Sequence, residues 1–142
     1  MKWRILSLLF IWSLTPCLSA ADLVTLNPEE FKAMAAHGAL IVDIRSSEEW
    51  QKTGTIPGSH LLTFYDANGR YELGKFMSDL AKMAPDSSIP VVLVCRSGNR
   101  SEKAGQILAS QWPDRRILHL GGGLQRWVME KHPVVSPASG KS

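Results

Sequence analysis

The sequence predicts an α/β domain whose mainly parallel central sheet is flanked by helices on both faces. Short, continuous apolar segments such as Val91–Val94 have the length and content of strands that are buried on both sides. They alternate with segments whose apolar residues recur at helical spacing, such as residues 73–83. Strands alternating with helices are typical of parallel sheets with right-handed crossovers, in which ligands bind beyond the carboxyl ends of the strands.

Composition supports one folded domain and excludes several function classes. The chain has 142 residues, of which 44% are hydrophobic and 20% charged, and its formal net charge is +3. These values are typical of a globular protein rather than a disordered one. No run of Lys or Arg is longer than two residues, so we expect no nucleic-acid partner.

Residues 1–21 have the order of a secretory signal peptide. Lys2 and Arg4 precede an apolar segment at residues 5–14, and the small residues Ser19 and Ala21 follow it. The apolar segment is about half the length that spans a bilayer, so we expect no stable membrane insertion after cleavage. Loss of the two cations leaves one excess positive charge. We therefore expect an exported protein, periplasmic if the source is a two-membrane bacterium.

Cys17 offers an alternative, a lipoprotein signal, although the preceding Pro16 stands where the peptidase for such signals requires a small residue. After cleavage Cys95 is the only cysteine, so an internal disulfide is excluded. Cys95 is then either a buried, inert side chain or a reactive thiol.

The elements follow in order along residues 22–135, which we expect to form the domain. Asn27 is the predicted N-cap of a first helix that ends at Gly38, and Ser46 or Ser47 the N-cap of a second. Strands are predicted at residues 40–44, 59–64, 91–94 and 117–120, and further helices at residues 73–83, 101–110 and 124–129. The Pro- and Ser-containing residues 136–142 are predicted to be a disordered tail.

The segment from Cys95 to Ser101 carries the best chemical signal, because it joins a buried strand to a helix. A helix N-terminus presents unpaired backbone N–H groups and partial positive charge. Gly98 permits the backbone to turn those groups inward, and Arg96 and Arg100 add full charges. All of these features favour an anion, so Cys95 is predicted to be largely a nucleophilic thiolate near neutral pH.

This loop resembles the active-site loop of rhodanese-type sulfurtransferases, and three further segments agree. Residues 41–50 are similar to the family's first signature, residues 54–59 to its Gly-His-Ile-Pro-Gly-Ala turn, and residues 121–134 to its C-terminal signature. Thr55 replaces the usual His of the turn, and His132 replaces a Gly before Pro133. The resemblance covers nearly all of residues 22–135 and implies a single rhodanese-like domain.

The resemblance implies that Cys95 takes a sulfane sulfur from a small anion such as thiosulfate, becomes a persulfide, and passes the sulfur to cyanide or a thiol. It implies neither a metal nor a cofactor. The predicted substrate-binding residues share the loop: Arg96, Ser97, Gly98, Asn99 and Arg100. Asp43, Arg45 and Ser101 are predicted to support the site, the first two as an ion pair.

Three other functions compete with thiosulfate turnover. A rhodanese-like sulfur-carrier or binding module is one, although inactive modules commonly lack the Cys. A Cys-dependent phosphatase is a second, but such enzymes place five residues between Cys and Arg, whereas four separate Cys95 from Arg100. A disulfide oxidoreductase is disfavoured because the usual second cysteine is missing.

Overall fold

The computed structural model describes residues 22–137, and the predicted signal peptide, Cys17 and residues 138–142 of the predicted tail lie outside it. Within residues 22–137 no helix is long and apolar enough to cross a bilayer. The elements are β1 (Val24–Leu26), α1 (Pro28–Ala36), β2 (Leu40–Asp43), α2 (Ser47–Thr53), β3 (His60–Leu61), α3 (Leu73–Met83), β4 (Val91–Val94), α4 (Asn99–Gln111), β5 (Ile117–Leu120) and α5 (Gly123–Met129).

The five strands form one parallel sheet in the order β1-β5-β4-β2-β3. Its two faces carry separate apolar cores. One core contains residues of α3 and α4, and the other contains residues of α1 and α5. The predicted parallel α/β fold with helices on both faces is therefore confirmed.

The continuous apolar sequence of β4 follows from its central position. Val91 and Leu93 enter the core under α3 and α4, whereas Val92 and Val94 enter the core under α1 and α5. Successive side chains of a strand point to opposite faces, so a strand covered on both faces must be apolar at every position.

Capping side chains fix where the first two helices begin. Asn27 accepts a hydrogen bond from the Glu30 N–H, and the Glu30 carboxylate accepts one from the Asn27 N–H. Ser46 and Glu49 form the same reciprocal pair at α2, so Ser46 rather than Ser47 is the N-cap.

One strand was not predicted, and several predicted bounds differ from those in the structure. β1 was not predicted, because two of its three residues are exposed and its sequence carries little apolar pattern. β3 spans two residues rather than six. α4 begins at Asn99, two residues before the predicted start, because Gly98 adopts a left-handed conformation (φ 95°) as its N-cap residue.

The topology brings two chain segments together at the carboxyl edge of the sheet. β2 and β4 are neighbours in parallel register, with Asp43 opposite Val94. The Ile44 N–H continues the pairing by donating to the Val94 carbonyl at 2.9 Å. The segments that follow β2 and β4 therefore leave the sheet side by side, and Cys95 begins the second of them.

Candidate active site

Cys95 is fully buried at the end of β4, with two backbone N–H groups directed at its sulfur. The Gly98 N–H donates to Sγ at 3.1 Å, and the Ser101 N–H donates to Sγ at 3.4 Å. Backbone N–H groups that point at one atom present partial positive charge to it. The loop is therefore shaped around the sulfur of Cys95.

The helix after the loop adds to this preference. Asn99 and Arg100 occupy the first turn of α4, where backbone N–H groups have no partner within the helix. α4 is thirteen residues long, and its N-terminal partial positive charge lies at the loop that contains Cys95. The loop thus offers further donors to an anion that extends beyond Sγ.

The N-terminus of α5 holds the outer side of the same loop. The Leu124 N–H donates to the Cys95 carbonyl at 2.9 Å, and the Gln125 N–H donates to the Arg96 carbonyl at 2.9 Å. Because these two carbonyls are turned toward α5, the loop's following N–H groups are free to face the sulfur. The shape of the loop is fixed by backbone bonds on both sides.

Close backbone contacts and positive φ angles explain the glycines where the Cys95 loop meets the start of α5: Gly98, Gly122 and Gly123. A Cβ on Gly123 would lie 2.7 Å from the Arg96 carbonyl oxygen, and a Cβ on Gly98 would lie 2.9 Å from the Gly122 nitrogen. Both distances are shorter than a real Cβ contact. Gly122 and Gly123 also have positive φ, of 78° and 56°.

Arg100 is held by a carboxylate at the mouth of the site. Its Nη1 and Nη2 donate to Glu49 Oε2 at 2.9 Å and Oε1 at 2.6 Å, and the two side chains are 37% and 28% exposed. The Arg100 hydrogen bonds lower the Glu49 pKa from 4.5 to about 2. The sequence indicated Glu49 only as a residue of α2, and its pairing with Arg100 was missed.

A cleft of about 690 Å³ opens beside this ion pair, between α2 and the segment that follows β3. Arg100, Glu49, Tyr65 and Lys103 are among its lining residues. Burial raises the Tyr65 pKa, with smaller contributions from Tyr71 and from the charge of Cys95. Of the segment from Cys95 to Ser101, Arg100 alone lines the cleft.

The predicted substrate-binding residues occupy different environments. Gly98 is buried, Ser97 and Arg100 are half-buried, and Arg96 and Asn99 are exposed. All five belong to the loop and the first turn of α4. Of them, Gly98 alone donates a hydrogen bond to Sγ, and the second donor is Ser101, which was predicted as a supporting residue.

Asp43 and Arg45 form a buried ion pair that belongs to the β2 side of the site. Arg45 Nη2 and Nε donate to Asp43 Oδ2 at 2.7 Å and Oδ1 at 2.9 Å, and both residues are at most 1% exposed. Arg45 also donates to the Thr53 hydroxyl and to the Gly54 carbonyl, each at 2.7 Å. The pair joins β2 to the end of α2, the helix that carries Glu49.

A hydrogen-bonded chain lies behind the loop. The Ser101 hydroxyl donates to the Gly98 carbonyl at 3.0 Å and lies 3.2 Å from His119 Nδ1, whose Nε2 lies 2.9 Å from the Thr25 hydroxyl. His119 is 3% exposed, and burial lowers its pKa. Its one sequence signal is a polar residue inside the apolar strand β5.

The two departures from the family's pattern have local structural partners. Thr55 is buried and pairs with Val135 through two backbone hydrogen bonds of 2.8 and 2.9 Å. The His132 ring packs on Trp127 with 4.4 Å between ring centroids. Neither residue is part of the Cys95 loop.

Comparison with known proteins identifies this arrangement. A family profile described as Rhodanese-like domain matches residues 27–130. The rhodanese domain-containing protein CG4456 of Drosophila melanogaster is 29% identical over 96 residues, covering 66% of this chain and 86% of that protein.

Longer proteins carry a similar domain. The adenylyltransferase and sulfurtransferase MOCS3 of Drosophila persimilis is 29% identical over 94 residues, which are 63% of this chain and 19% of that protein. The thiosulfate sulfurtransferase structure from Pseudomonas aeruginosa superposes with a TM-score of 0.66 at 23% identity, over 80% of this chain and 20% of that one. Since the profile spans well over half of its residues, the chain belongs to the rhodanese-like domain family.

Proposed function

We propose that the protein is a sulfurtransferase in which Cys95 carries sulfur as a persulfide. One observation supports this above all: the buried Cys95 Sγ accepts hydrogen bonds from two backbone N–H groups, at 3.1 and 3.4 Å. A thiolate and a persulfide are both anions, so the same donors stabilise the resting enzyme and the intermediate.

Thiosulfate is the proposed donor. The Cys95 thiolate attacks its outer sulfur, a bond forms between the two sulfurs, and the S–S bond of thiosulfate breaks with sulfite leaving. A thiolate or cyanide acceptor then attacks the outer sulfur of the persulfide, which yields a new persulfide or thiocyanate and returns the Cys95 thiolate. The two steps balance without an external oxidant or reductant.

The loop supplies the contacts for the small anion. In this proposal the dianion is met by the guanidinium groups of Arg96 and Arg100 and by N–H groups at the start of α4. Ser97 and Asn99 border the path of entry. The anion competes with Glu49 for Arg100, because the guanidinium already binds that carboxylate in two hydrogen bonds.

Mass spectrometry after incubation with thiosulfate tests the mechanism. We expect one added sulfur atom on Cys95 and its loss when cyanide or a thiol is added, with thiocyanate formed from cyanide. Cys95→Ser is nearly isosteric, so it should fold, gain no sulfur, and lose at least about a thousandfold in sulfur-transfer rate.

The same experiment separates the competing functions. A persulfide formed from a thiol persulfide but not from thiosulfate would identify a sulfur carrier without thiosulfate turnover. Hydrolysis of an aryl phosphate at a rate comparable to sulfur transfer would identify a phosphatase. Retained sulfur transfer in folded Cys95→Ser would contradict the persulfide mechanism.

We also propose that the protein is exported, on the basis of the pattern in residues 1–21. Expression in a two-membrane bacterium should place a shortened protein in the periplasmic fraction, with its first residue near Asp22. A full-length chain in the cytoplasmic fraction would contradict export, and a lipid-modified Cys17 would support the lipoprotein alternative.

A further inference from the structure

The chain of hydrogen bonds behind the Cys95 loop runs from the edge of the sheet to the loop itself. Thr25 lies on the edge strand β1 and is paired in register with His119 of β5. The His119 ring spans the distance between the Thr25 hydroxyl, 2.9 Å from Nε2, and the Ser101 hydroxyl, 3.2 Å from Nδ1. Ser101 in turn has its N–H on Cys95 Sγ.

Counting hydrogens favours one tautomer of the ring. The Ser101 hydroxyl has a single hydrogen and two acceptors within reach, the Gly98 carbonyl at 3.0 Å and His119 Nδ1 at 3.2 Å. Both contacts are hydrogen bonds only when the hydroxyl donates to the carbonyl and Nδ1 carries a hydrogen that it donates to the Ser101 oxygen. Burial lowers the His119 pKa, so the ring is neutral near neutral pH and Nε2 accepts from the Thr25 hydroxyl.

The opposite tautomer would change the loop. With the hydrogen on Nε2, the Ser101 hydroxyl would have to donate to Nδ1, and the Gly98 carbonyl would lose one of its two donors. The second, the Glu102 N–H at 2.9 Å, would remain. Gly98 and Ser101 are the two residues whose N–H groups face the sulfur, so the tautomer bears directly on the donors of the site.

We propose that His119 is a positioning residue for the Cys95 loop. Its Nδ1–H tautomer, which Thr25 accommodates by donating to Nε2, holds the Ser101 hydroxyl on the Gly98 carbonyl and so keeps both backbone N–H groups directed at the sulfur. The role deepens the sulfur-transfer function proposed above and rests on it. It gives the edge strand β1 a part in the site, although β1 does not contact the sulfur.

The test compares His119→Asn with His119→Leu. The side-chain amide of Asn can occupy the place of Nδ1–H and donate to Ser101, whereas Leu fills a similar volume without a donor. The ultraviolet absorbance of the thiolate, with Cys95→Ser as the blank, measures the thiolate fraction at a pH low enough that the wild-type thiol is mostly protonated. We expect a three- to tenfold lower fraction in His119→Leu and a change of less than about twofold in His119→Asn, the scale of one hydrogen bond.

A second measurement keeps the proposal open to refutation if His119→Leu does not fold. Nitrogen-15 NMR of the His119 ring should show a protonated Nδ1 in the wild type and a mixture of tautomers in Ser101→Ala, which removes the acceptor of the Nδ1 hydrogen. Ser110→Ala is the matched control, because this exposed hydroxyl lies on the same helix and bonds only its own helix at 2.8 Å. It should leave both signals unchanged.

A ring protonated on Nε2 in the wild type, or an unchanged thiolate fraction in folded His119→Leu, would overturn the proposal. Neither measurement involves sulfur transfer, so the outcome is distinct from a failure of the proposed function. A wild type that forms no persulfide but whose thiolate depends on His119 would refute the sulfurtransferase and retain the positioning role.

Discussion

The segments that follow the neighbouring strands β2 and β4 leave the same edge of the sheet. They differ in how their charged and polar groups are paired. After β2, Asp43 and Arg45 bind each other, and two further Arg45 N–H groups bind Thr53 and Gly54. After β4, the backbone donors converge on a sulfur atom that has no cationic side chain bonded to it.

This difference distinguishes the charges of Asp43 and Arg45, which stabilise the fold, from the donors around Cys95, which face the proposed nucleophile. The ion pair after β2 is buried, and four of the five Arg45 N–H groups already have acceptors, so it has little capacity left to bind a substrate. The loop after β4 is held from outside by α5, and its Gly98 and Ser101 N–H groups face the sulfur. Both segments begin at a strand end. The segment after β4 differs because its backbone N–H groups point at the Cys95 sulfur instead of at a carboxylate or carbonyl oxygen.

The largest expected effect on stability comes from breaking the buried ion pair after β2. Asp43→Asn leaves Arg45 charged and buried, which should lower the free energy of unfolding by about 3–5 kcal/mol. Asp79→Asn is the control, because its partners Lys75 and Lys82 are about 70% exposed and the loss should stay below about 1 kcal/mol. Urea unfolding of the variants measures both, and equal losses would contradict the assignment of Asp43 as a structural charge.

The next largest effect is expected at the close contact between Gly123 and the backbone of the Cys95 loop. Gly123→Ala places a Cβ 2.7 Å from the Arg96 carbonyl oxygen, so we expect roughly a ten- to a hundredfold loss of sulfur transfer per folded molecule. Gly58→Ala has a similar backbone cost, since its φ is 81°, but its Cβ would meet no atom within 4 Å. Steady-state kinetics of the two variants separate strain from displacement of the loop, and equal activities would argue against the contact.

Arg100 and Glu49 test whether the guanidinium at the mouth is available to substrate. Arg100→Ala should lower kcat/KM for thiosulfate by about ten- to a hundredfold, the loss of a charged hydrogen bond. Glu49→Gln frees the guanidinium, so kcat/KM should be unchanged or rise by a fewfold through a lower KM. If both substitutions reduce kcat/KM equally, Arg100 acts only by tethering α2.

The smallest effect is a pH dependence of stability. The Glu49 pKa is about 2 in the folded protein and about 4.5 unfolded, so its contribution is complete above pH 4.5 and is lost as pH falls from 4.5 toward 2. The pair is partly exposed, so we expect roughly 1 kcal/mol. Glu49→Gln should therefore show a shallower loss of unfolding free energy over that window than the wild type, and parallel curves would contradict the ion pair.

Much of the fold was predictable because its signals are local. The reciprocal Asn27 and Glu30 caps fix α1, and the spacing of Leu73, Phe76 and Leu80 predicts α3 with its observed bounds. β1 could not be predicted, because an exposed edge strand of three residues has no periodic apolar pattern and depends on pairing with β5.

Local sequence signals indicated the Cys95 loop but not the residues that bind it. Cys95 and its loop are contiguous in sequence, so a strand, a glycine and a helix start mark them directly. The partners of the loop are distant in sequence: Glu49 precedes Arg100 by 51 residues and His119 follows Ser101 by 18. Their roles arise from the order of strands in the sheet, which no local pattern specifies.

The run of glycines before α5 also affects how the protein can be altered. The loop is held by main-chain atoms on both sides, so its shape does not depend on the identity of the side chains at positions 96, 97 and 99. In the proposed function these three side chains contact the sulfur donor or border its path of entry, whereas the two N–H groups that face Cys95 Sγ belong to Gly98 and Ser101. A library varied at Arg96, Ser97 and Asn99 should therefore change which sulfur donors are used while the hydrogen bonds to Cys95 Sγ are preserved, which makes this loop a starting point for engineering specificity.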